Sequence, residues 1–330
     1  MIMNSHDIKS FGEAVIEDSG MVYTPLSGGV NNQLWRVQPN NAPHFVIKNY
    51  GPDGEDRLRR EWVYLSLLDQ HTVPNCPKPL YQDASQNLAA YSLMPGKKLL
   101  PRQVNISDIN MAAQHIISIS DLPTATLDRA KGSHDGASGH INEITDRIRR
   151  LEQALQCHPC LDRLHNFVMK RLKPLWHYRR LIAMEADLSL LFSGVKLYLS
   201  PSDFGFHNVL ATESALSFID FEYSGADDLA KLAADFSLVP QISVSDELAV
   251  SFAAQLKRNI DLDEHFEQRV SFLRFVGEVK WICIILNEFL PEKQERLSNA
   301  SSKSVFLRQN ESLTLAEEFF NQHEMTEFTL

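Results

Sequence analysis

The chain has 330 residues, enough for a sizeable core and, since single cores rarely grow past roughly 250–300 residues, for two lobes with a cleft. With 44% hydrophobic and 22% charged residues, it falls outside the disordered and fibrous classes. Its 32 basic against 42 acidic residues give a net charge of −10, the wrong sign for holding nucleic acid or an anionic membrane by counterion release.

The opening, MIMNSHDIKSFGEAVIED, has no charged segment leading into an apolar one, so no secretory signal is read and the expected compartment is the cytoplasm. From residue 22 to about 95 the signals are mostly of strands. LSGGVNNQLWRV, residues 26–37, sets two glycines in a turn, where backbone without Cβ can approach phosphate closely. Taken alone it reads more readily as an ordinary hairpin turn. LWRV and HFVIKNY flank the turn-rich QPNNAP and predict a β-hairpin.

Lys48 lies inside the apolar strand FVIKNY, where a cation needs a partner or a route to water. The next segment, EDRLRREWVYLSLLDQ, places Leu58, Trp62, Leu65 and Leu68 on one helical face. Glu61 sits beside that face as the natural partner for Lys48, with Glu55 and Asp56 as competing carboxylates. HTVPNCPKPL ends the helix, NLAAYSLM returns to strand, and PGKKL follows.

Beyond residue 100 the periodicity is helical in DINMAAQHIISI, INEITDRIRRLEQAL and LDRLHNFVMKRLKPLW, with the glycine- and serine-rich KGSHDGASGH, residues 131–140, between the first two. FLRFVGEVKWICIILNEFL, residues 272–290, carries Arg274, Glu278, Lys280 and Glu288. That load of charge predicts a buried core helix rather than a membrane span. Of the four cysteines, only Cys157 and Cys160, in CHPC, are close in sequence. With no second cluster nearby they are read as reduced thiols rather than half of a zinc site.

The helices are interrupted at 197–223, where KLYL, NVLA and LSFIDF form short strands around polar turns. Within it, Asp203 and Asn208 are five residues apart, and Asp220 ends the apolar run LSFI twelve residues after Asn208. Protein-kinase catalytic segments use the same spacing, with a metal-binding aspartate after a further strand. A hairpin across TESA brings Asn208 and Asp220 together, offering oxygen ligands to a hard cation such as Mg2+. Asp203, beside that hairpin, is the candidate base for an attacking hydroxyl. His207 has no partner histidine at helical spacing, and Ser200 and Ser202 lack a nucleophile elbow, so a metal site on His207 and a serine hydrolase are the weaker readings. A purely structural Asx turn at Asp203 stays open.

In this order the segments resemble the aminoglycoside phosphotransferase and choline kinase-like group of small-molecule kinases. The likeness covers about residues 22–240. LSGGVNNQLWRV is similar to the phosphate loop, FVIK to the lysine strand, YSLMPGK to the interlobe hinge, SDFGFHNVL to the catalytic loop and FIDFEYSGADDLAKLAADF to the metal-binding segment.

The resemblance implies an α+β, protein-kinase-like fold in two lobes. Residues 1–96 would form a small antiparallel-sheet N-lobe that binds nucleotide, and 97–330 a mainly helical C-lobe with the catalytic loop and acceptor site. It further implies ATP and Mg2+, with Asp203 as catalytic base and Asn208 and Asp220 as metal ligands. Lys48 would hold phosphate with Glu61 as its partner. Gly28, Gly29, Asn31 and Asn32 would cradle the nucleotide, and backbone near Ser92 and Met94 would face adenine. Asp228 would cap the following helix, and Asp235 would be structural.

The group usually has histidine two positions before the catalytic aspartate; this chain has Pro201. The loop then needs another support, and a fixed proline φ is one. DFEY in place of DFG also removes a glycine hinge. The expected function is transfer of phosphate from ATP to a hydroxyl of a sugar, amino sugar or amino alcohol, with no nucleic-acid or membrane partner. The alternative is a nucleotide-binding pseudokinase acting through a protein partner.

Overall fold

The computed structural model describes residues 5–18, 20–26, 32–100, 104–157, 162–291 and 304–328. They group into two compact units, one built from 1–102, 107–131 and 199–226, the other from 103–106, 132–198 and 227–330.

The first unit opens with α1 (Ser5–Val15) and an antiparallel sheet of β1 (Val22–Leu26), β2 (Gln33–Gln38), β3 (Phe45–Asn49), β4 (Pro79–Asp83) and β5 (Leu88–Ser92), in the order β1-β2-β3-β5-β4. The expected hairpin is present as β2 and β3, with Leu34 opposite Lys48 and Trp35 opposite Ile47. Alternation then sorts the side chains of β3. Phe45 and Ile47 join Val37, Leu88 and Ala90 in a core covered by Ile8 and Phe11 of α1. Lys48 consequently points to the opposite face. There α2 (Glu55–Gln70) follows the sheet, burying Leu58, Glu61, Leu65 and Leu68.

The same unit holds β6 (Lys97–Lys98), α3 (Ile106–Ile119) and, from far along the chain, β8 (Val209–Ala211) and β9 (Leu216–Phe218). These two strands form the expected hairpin, with Val209 opposite Phe218 and Ala211 opposite Leu216, and β6 adds a third strand beside β8. Gly96 lets β6 approach: with φ at +108° it sits where a Cβ would lie 2.8 Å from the carbonyl oxygen of Ala211. Flanking strands are β7 (Tyr198–Ser200) and β10 (Gly225–Asp227).

The second unit is helical: α4 (Ala137–Cys157), α5 (Asp162–Phe167), a π-helical turn (Val168–Leu172), α6 (Lys173–Glu185), α7 (Leu229–Leu238), α8 (Asp246–Asn259), α9 (Phe266–Ile285) and α10 (Val305–His323). The expected core helix is α9, which packs against α4, α6, α7 and α10 and is apolar on most sides, as an encircled helix must be. Asp228 caps α7 as expected, accepting from the amide of Ala230 at 2.9 Å, and its other oxygen takes Arg269 Nε at 2.8 Å. Asp235 is bound by Lys280 at 2.5 Å and Trp281 at 3.0 Å. No helix among the described residues is long and apolar enough to cross a membrane. Cys76 and Cys283 are buried free thiols, and burial raises each to about 12; CHPC falls largely outside the described residues.

Candidate active site

Lys48, Glu61, Asp203, Asn208 and Asp220 all belong to the first unit. The ammonium of Lys48 is buried and lies 2.6 Å from Glu61 Oε2, 2.6 Å from Asp220 Oδ1 and 3.7 Å from Glu222 Oε2. Burial opposes its charge, yet the three carboxylates outweigh that penalty and hold it well above the usual lysine value. Glu61 is fixed from both oxygens, by Tyr50 Oη at 2.6 Å as well as Lys48 on one and by the amide of Phe221 at 3.2 Å on the other. Its own carboxyl is raised, because burial exceeds the relief that Lys48 gives. The competing carboxylates are elsewhere: Asp56 pairs with Arg59 and Arg60, and Glu55 is exposed.

Asp220 occupies the left-handed region, with φ at +68°, a conformation that Asp tolerates better than most residues but that still costs energy. The turn directs its half-exposed carboxylate at Lys48. Burial disfavours its charge, and the Lys48 ammonium reverses that, leaving the carboxyl below the ordinary range.

Asn208 meets this segment through its backbone, its carbonyl accepting from the amide of Ile219 at 3.0 Å. Its side-chain nitrogen donates to the Asp203 carbonyl at 3.1 Å and approaches Asp203 Oδ2 at 3.5 Å. The amide oxygen therefore faces away from those donor contacts. Asp203 remains a third exposed, with His207 Nε2 at 3.3 Å from Oδ1.

The loop before Asp203 is held without a histidine at position 201. Ser202 adopts φ +64°, its amide donates to Ser200 Oγ at 3.1 Å and its hydroxyl to the carbonyl of Lys131 at 3.1 Å. Both hydroxyls are thus used in shaping the turn, which disposes of the serine-nucleophile reading. Aromatic support comes from α3: the buried ring of His115 stacks on Phe218 at 4.4 Å and Phe204 at 5.9 Å, and meets Phe221 at 6.5 Å.

Glu222 escaped the sequence reading. It is almost wholly buried and its Oε2 accepts from Asn32 at 2.6 Å and Arg57 at 3.3 Å, while Asn32 Oδ1 accepts from Arg57 at 2.7 Å. Glu222, Asp220 and Glu61 bring carboxylate oxygens within 4.8 Å of one another. Three acids against Lys48 and Arg57 leave excess negative charge. An all-oxygen cluster of this kind is the donor type that hard cations prefer.

Of the nucleotide-binding residues expected from sequence, Asn32 joins the Glu222 cluster, while Gly28, Gly29 and Asn31 lie outside the described residues. Ser92 exchanges hydrogen bonds with Lys78, through its own amide at 2.9 Å and its hydroxyl at 2.8 Å. Met94, two residues beyond the end of β5, is half-buried.

No family model matches this chain, and no curated protein matches it. Solved structures do. An ethanolamine kinase from Plasmodium vivax aligns over 93% of this chain and 85% of its own at 14% identity, with a TM-score of 0.59. A choline kinase from Streptococcus pneumoniae aligns over 95% and 98% at 13% identity and a TM-score of 0.59. The GDP complex of aminoglycoside 2'-phosphotransferase-IIIa aligns over 97% and 99% at 17% identity, again at 0.59. At such identities the likeness carries the architecture, and the architecture of this chain is the α+β, protein-kinase-like fold of those small-molecule kinases.

Proposed function

We propose that this protein transfers the γ-phosphoryl group of a nucleoside triphosphate, ATP by our reading, to a hydroxyl of a small polar metabolite, a sugar, amino sugar or amino alcohol. One observation carries the proposal: Lys48 is buried between Glu61 and Asp220 at 2.6 Å from each, in the unit that also holds Asp203 and Asn208. Three carboxylates around one buried ammonium leave a net negative charge that Mg2+ would offset, and a phosphate brought with it would share the ammonium.

In this mechanism Lys48 neutralises phosphate oxygens, and Glu61, itself locked by Tyr50 and Phe221, keeps the ammonium in place. Asn208 and Asp220 would hold Mg2+, which offsets charge on the transferring group. Asp203, exposed enough to meet an acceptor, orients the hydroxyl and takes its proton as the new O–P bond forms and the bond to the leaving diphosphate breaks. Glu222 ties Asn32 to Arg57, so the strand following the glycine turn is anchored to the metal-binding segment. The similar solved structures support the reading, since they are of ethanolamine, choline and aminoglycoside enzymes and include ADP and GDP complexes. Placement in the cytoplasm, with no nucleic-acid or membrane partner, is part of the same proposal.

The test is thermal unfolding with and without magnesium ATP, followed by nucleotide diphosphate release across a panel of sugars, amino sugars and amino alcohols. A magnesium-dependent rise in the midpoint that Asp220→Asn abolishes is expected. No rise with ATP or GTP, and no turnover with any acceptor, would overturn the proposal.

A further inference from the structure

Beyond the Lys131 carbonyl that holds Ser202, the glycine-rich stretch between α3 and α4 has no part in phosphoryl transfer as described, yet from residue 132 on it builds a cluster of its own inside the second unit. His140 and Glu143 stand three residues apart in the first turns of α4, on one face of the helix, and His134 reaches them from the preceding loop. His134 Nε2 lies 3.0 Å from Glu143 Oε2. The two imidazole rings are 4.8 Å apart and nearly perpendicular, at 87°. One nitrogen from each histidine and a Glu143 oxygen all fall within 4.8 Å of one another.

Two features show that this approach is constructed. A Cβ on Gly139 would lie 2.6 Å from the Cβ of His134 and 2.8 Å from its Cγ, so any larger residue would push His134 off the helix. Gly132 begins the loop with φ at +72°, a turn that admits few other residues.

His140 supplies the independent observation. It is 7% exposed, and among the described residues neither ring nitrogen has a hydrogen-bond partner; its contacts are the rings of His134 and Phe192. It lines a small cavity with Glu143, Lys231, Asp235 and Lys280. Glu143 is steadied by Arg147, which grips Oε1 through Nε at 2.9 Å and Nη2 at 2.7 Å and leaves Oε2 facing the histidines. The other cations are matched: Lys231 pairs with Asp227 at 3.0 Å and Lys280 with Asp235 at 2.5 Å.

We propose that His134, His140 and Glu143 form a binding site for a borderline-soft divalent metal, Zn2+ first, separate from the nucleotide-associated Mg2+. Two imidazoles and one carboxylate select Zn2+ over Mg2+ or Ca2+. Three protein ligands leave one tetrahedral position for water from the cavity. Ligation engages His140 and replaces the His134–Glu143 hydrogen bond, while Arg147 remains as the group that orients the carboxylate. The ion would fasten the 131–140 loop to α4.

Tag-free full-length protein, stripped with chelator, is titrated with Co2+ and then Zn2+, following visible absorption and heat. One equivalent of cobalt with the intense absorption of a tetrahedral site, displaced by Zn2+, is expected. His140→Ala and Glu143→Gln should each abolish the band, and Arg147→Gln should weaken Zn2+ binding about 10-fold or more. Circular dichroism establishes that the variants are folded; should His140→Ala fail to fold, His134→Asn, at a half-buried loop position, carries the same expectation. Absence of the cobalt band and of tight zinc binding in wild type, or a band unchanged in folded variants, overturns the proposal.

Discussion

Lys48 Nζ and Asp220 Oδ1 are 2.6 Å apart although 172 residues separate them in sequence. The pair depends on two local devices, the outward alternation of β3 and the left-handed turn at Asp220. Replacing Lys48 by Met removes the cation shared by Glu61, Asp220 and Glu222 while keeping much of the side-chain volume. We expect turnover to fall about 10²–10³-fold, the scale of losing one preorganised charge-stabilising donor. Breaking one side of a buried ion pair also costs about 3–5 kcal/mol, so the unfolding midpoint without ligand should drop. Steady-state kinetics and thermal melts on the same preparation check both, and unaltered turnover would remove Lys48 from the mechanism.

Asp203 has a different signature because it touches the acceptor rather than the nucleotide. Asp203→Asn preserves shape and still accepts from Asn208, so folding and magnesium-nucleotide binding should match wild type. The rate of transfer should fall about 10²–10⁴-fold, as for removal of a general base. Calorimetric nucleotide affinity beside turnover tests the split. A variant that loses affinity and rate in equal measure would assign Asp203 to metal binding instead.

How far these residues were legible follows from the range of their interactions. Lys48 was visible because a lysine in an apolar strand is locally anomalous, and Asp203, Asn208 and Asp220 because spacing and the hairpin are short-range features. Glu222 looked like an ordinary acid in a polar turn. What buries it is Asn32 and Arg57, 190 and 165 residues earlier, and no local pattern announces that. Strand β4 was missed for another reason. It is an edge of the sheet, only partly covered and opened by Pro79, so the alternation that marks a half-buried strand is absent. Likewise α1 and α8 went unread, while α9 was plain because its apolar surface is nearly continuous.

Pro201 stands where a histidine would support the catalytic loop, and the geometry shifts that duty to its neighbours. Ser202 is in the left-handed region and uses both its amide and its hydroxyl, whereas Pro201 contributes a carbonyl that accepts from the amide of Asp203 at 2.9 Å. Any residue at 201 offers that carbonyl. Pro201→Ala should therefore cost only about 0.4–1 kcal/mol, chiefly through the freedom gained by the unfolded chain. Ser202→Val, which forces a β-branched side chain into positive φ, should cost about 1–3 kcal/mol and lower turnover as well. Chemical denaturation of the two variants ranks them, and a larger loss for Pro201→Ala would show that proline rigidity holds the loop.

His115 takes the place beneath the catalytic segment, and it leaves a pH signature. Its ring is enclosed by Phe204, Phe218 and Phe221, and burial lowers it from 6.5 to about 3. In the unfolded chain the imidazole takes up its proton near 6.5, but the folded protein cannot until about 3. The stability tied to the neutral ring is therefore present above pH 6.5 and lost as pH falls toward 3, by at most about 1.4 kcal/mol per pH unit. His140, lowered for the same reason, adds a parallel loss. In His115→Phe the ring stack survives and the titrating group does not, so between pH 6.5 and 5 the urea midpoint of wild type should fall relative to that of the variant. The window is chosen above the range where the paired carboxylates Asp220 and Asp235 protonate, since both lie below ordinary carboxylate values. Parallel curves across it would mean that His115 is protonated in the folded state, and that the stack carries a charge the aromatic cage does not otherwise accommodate.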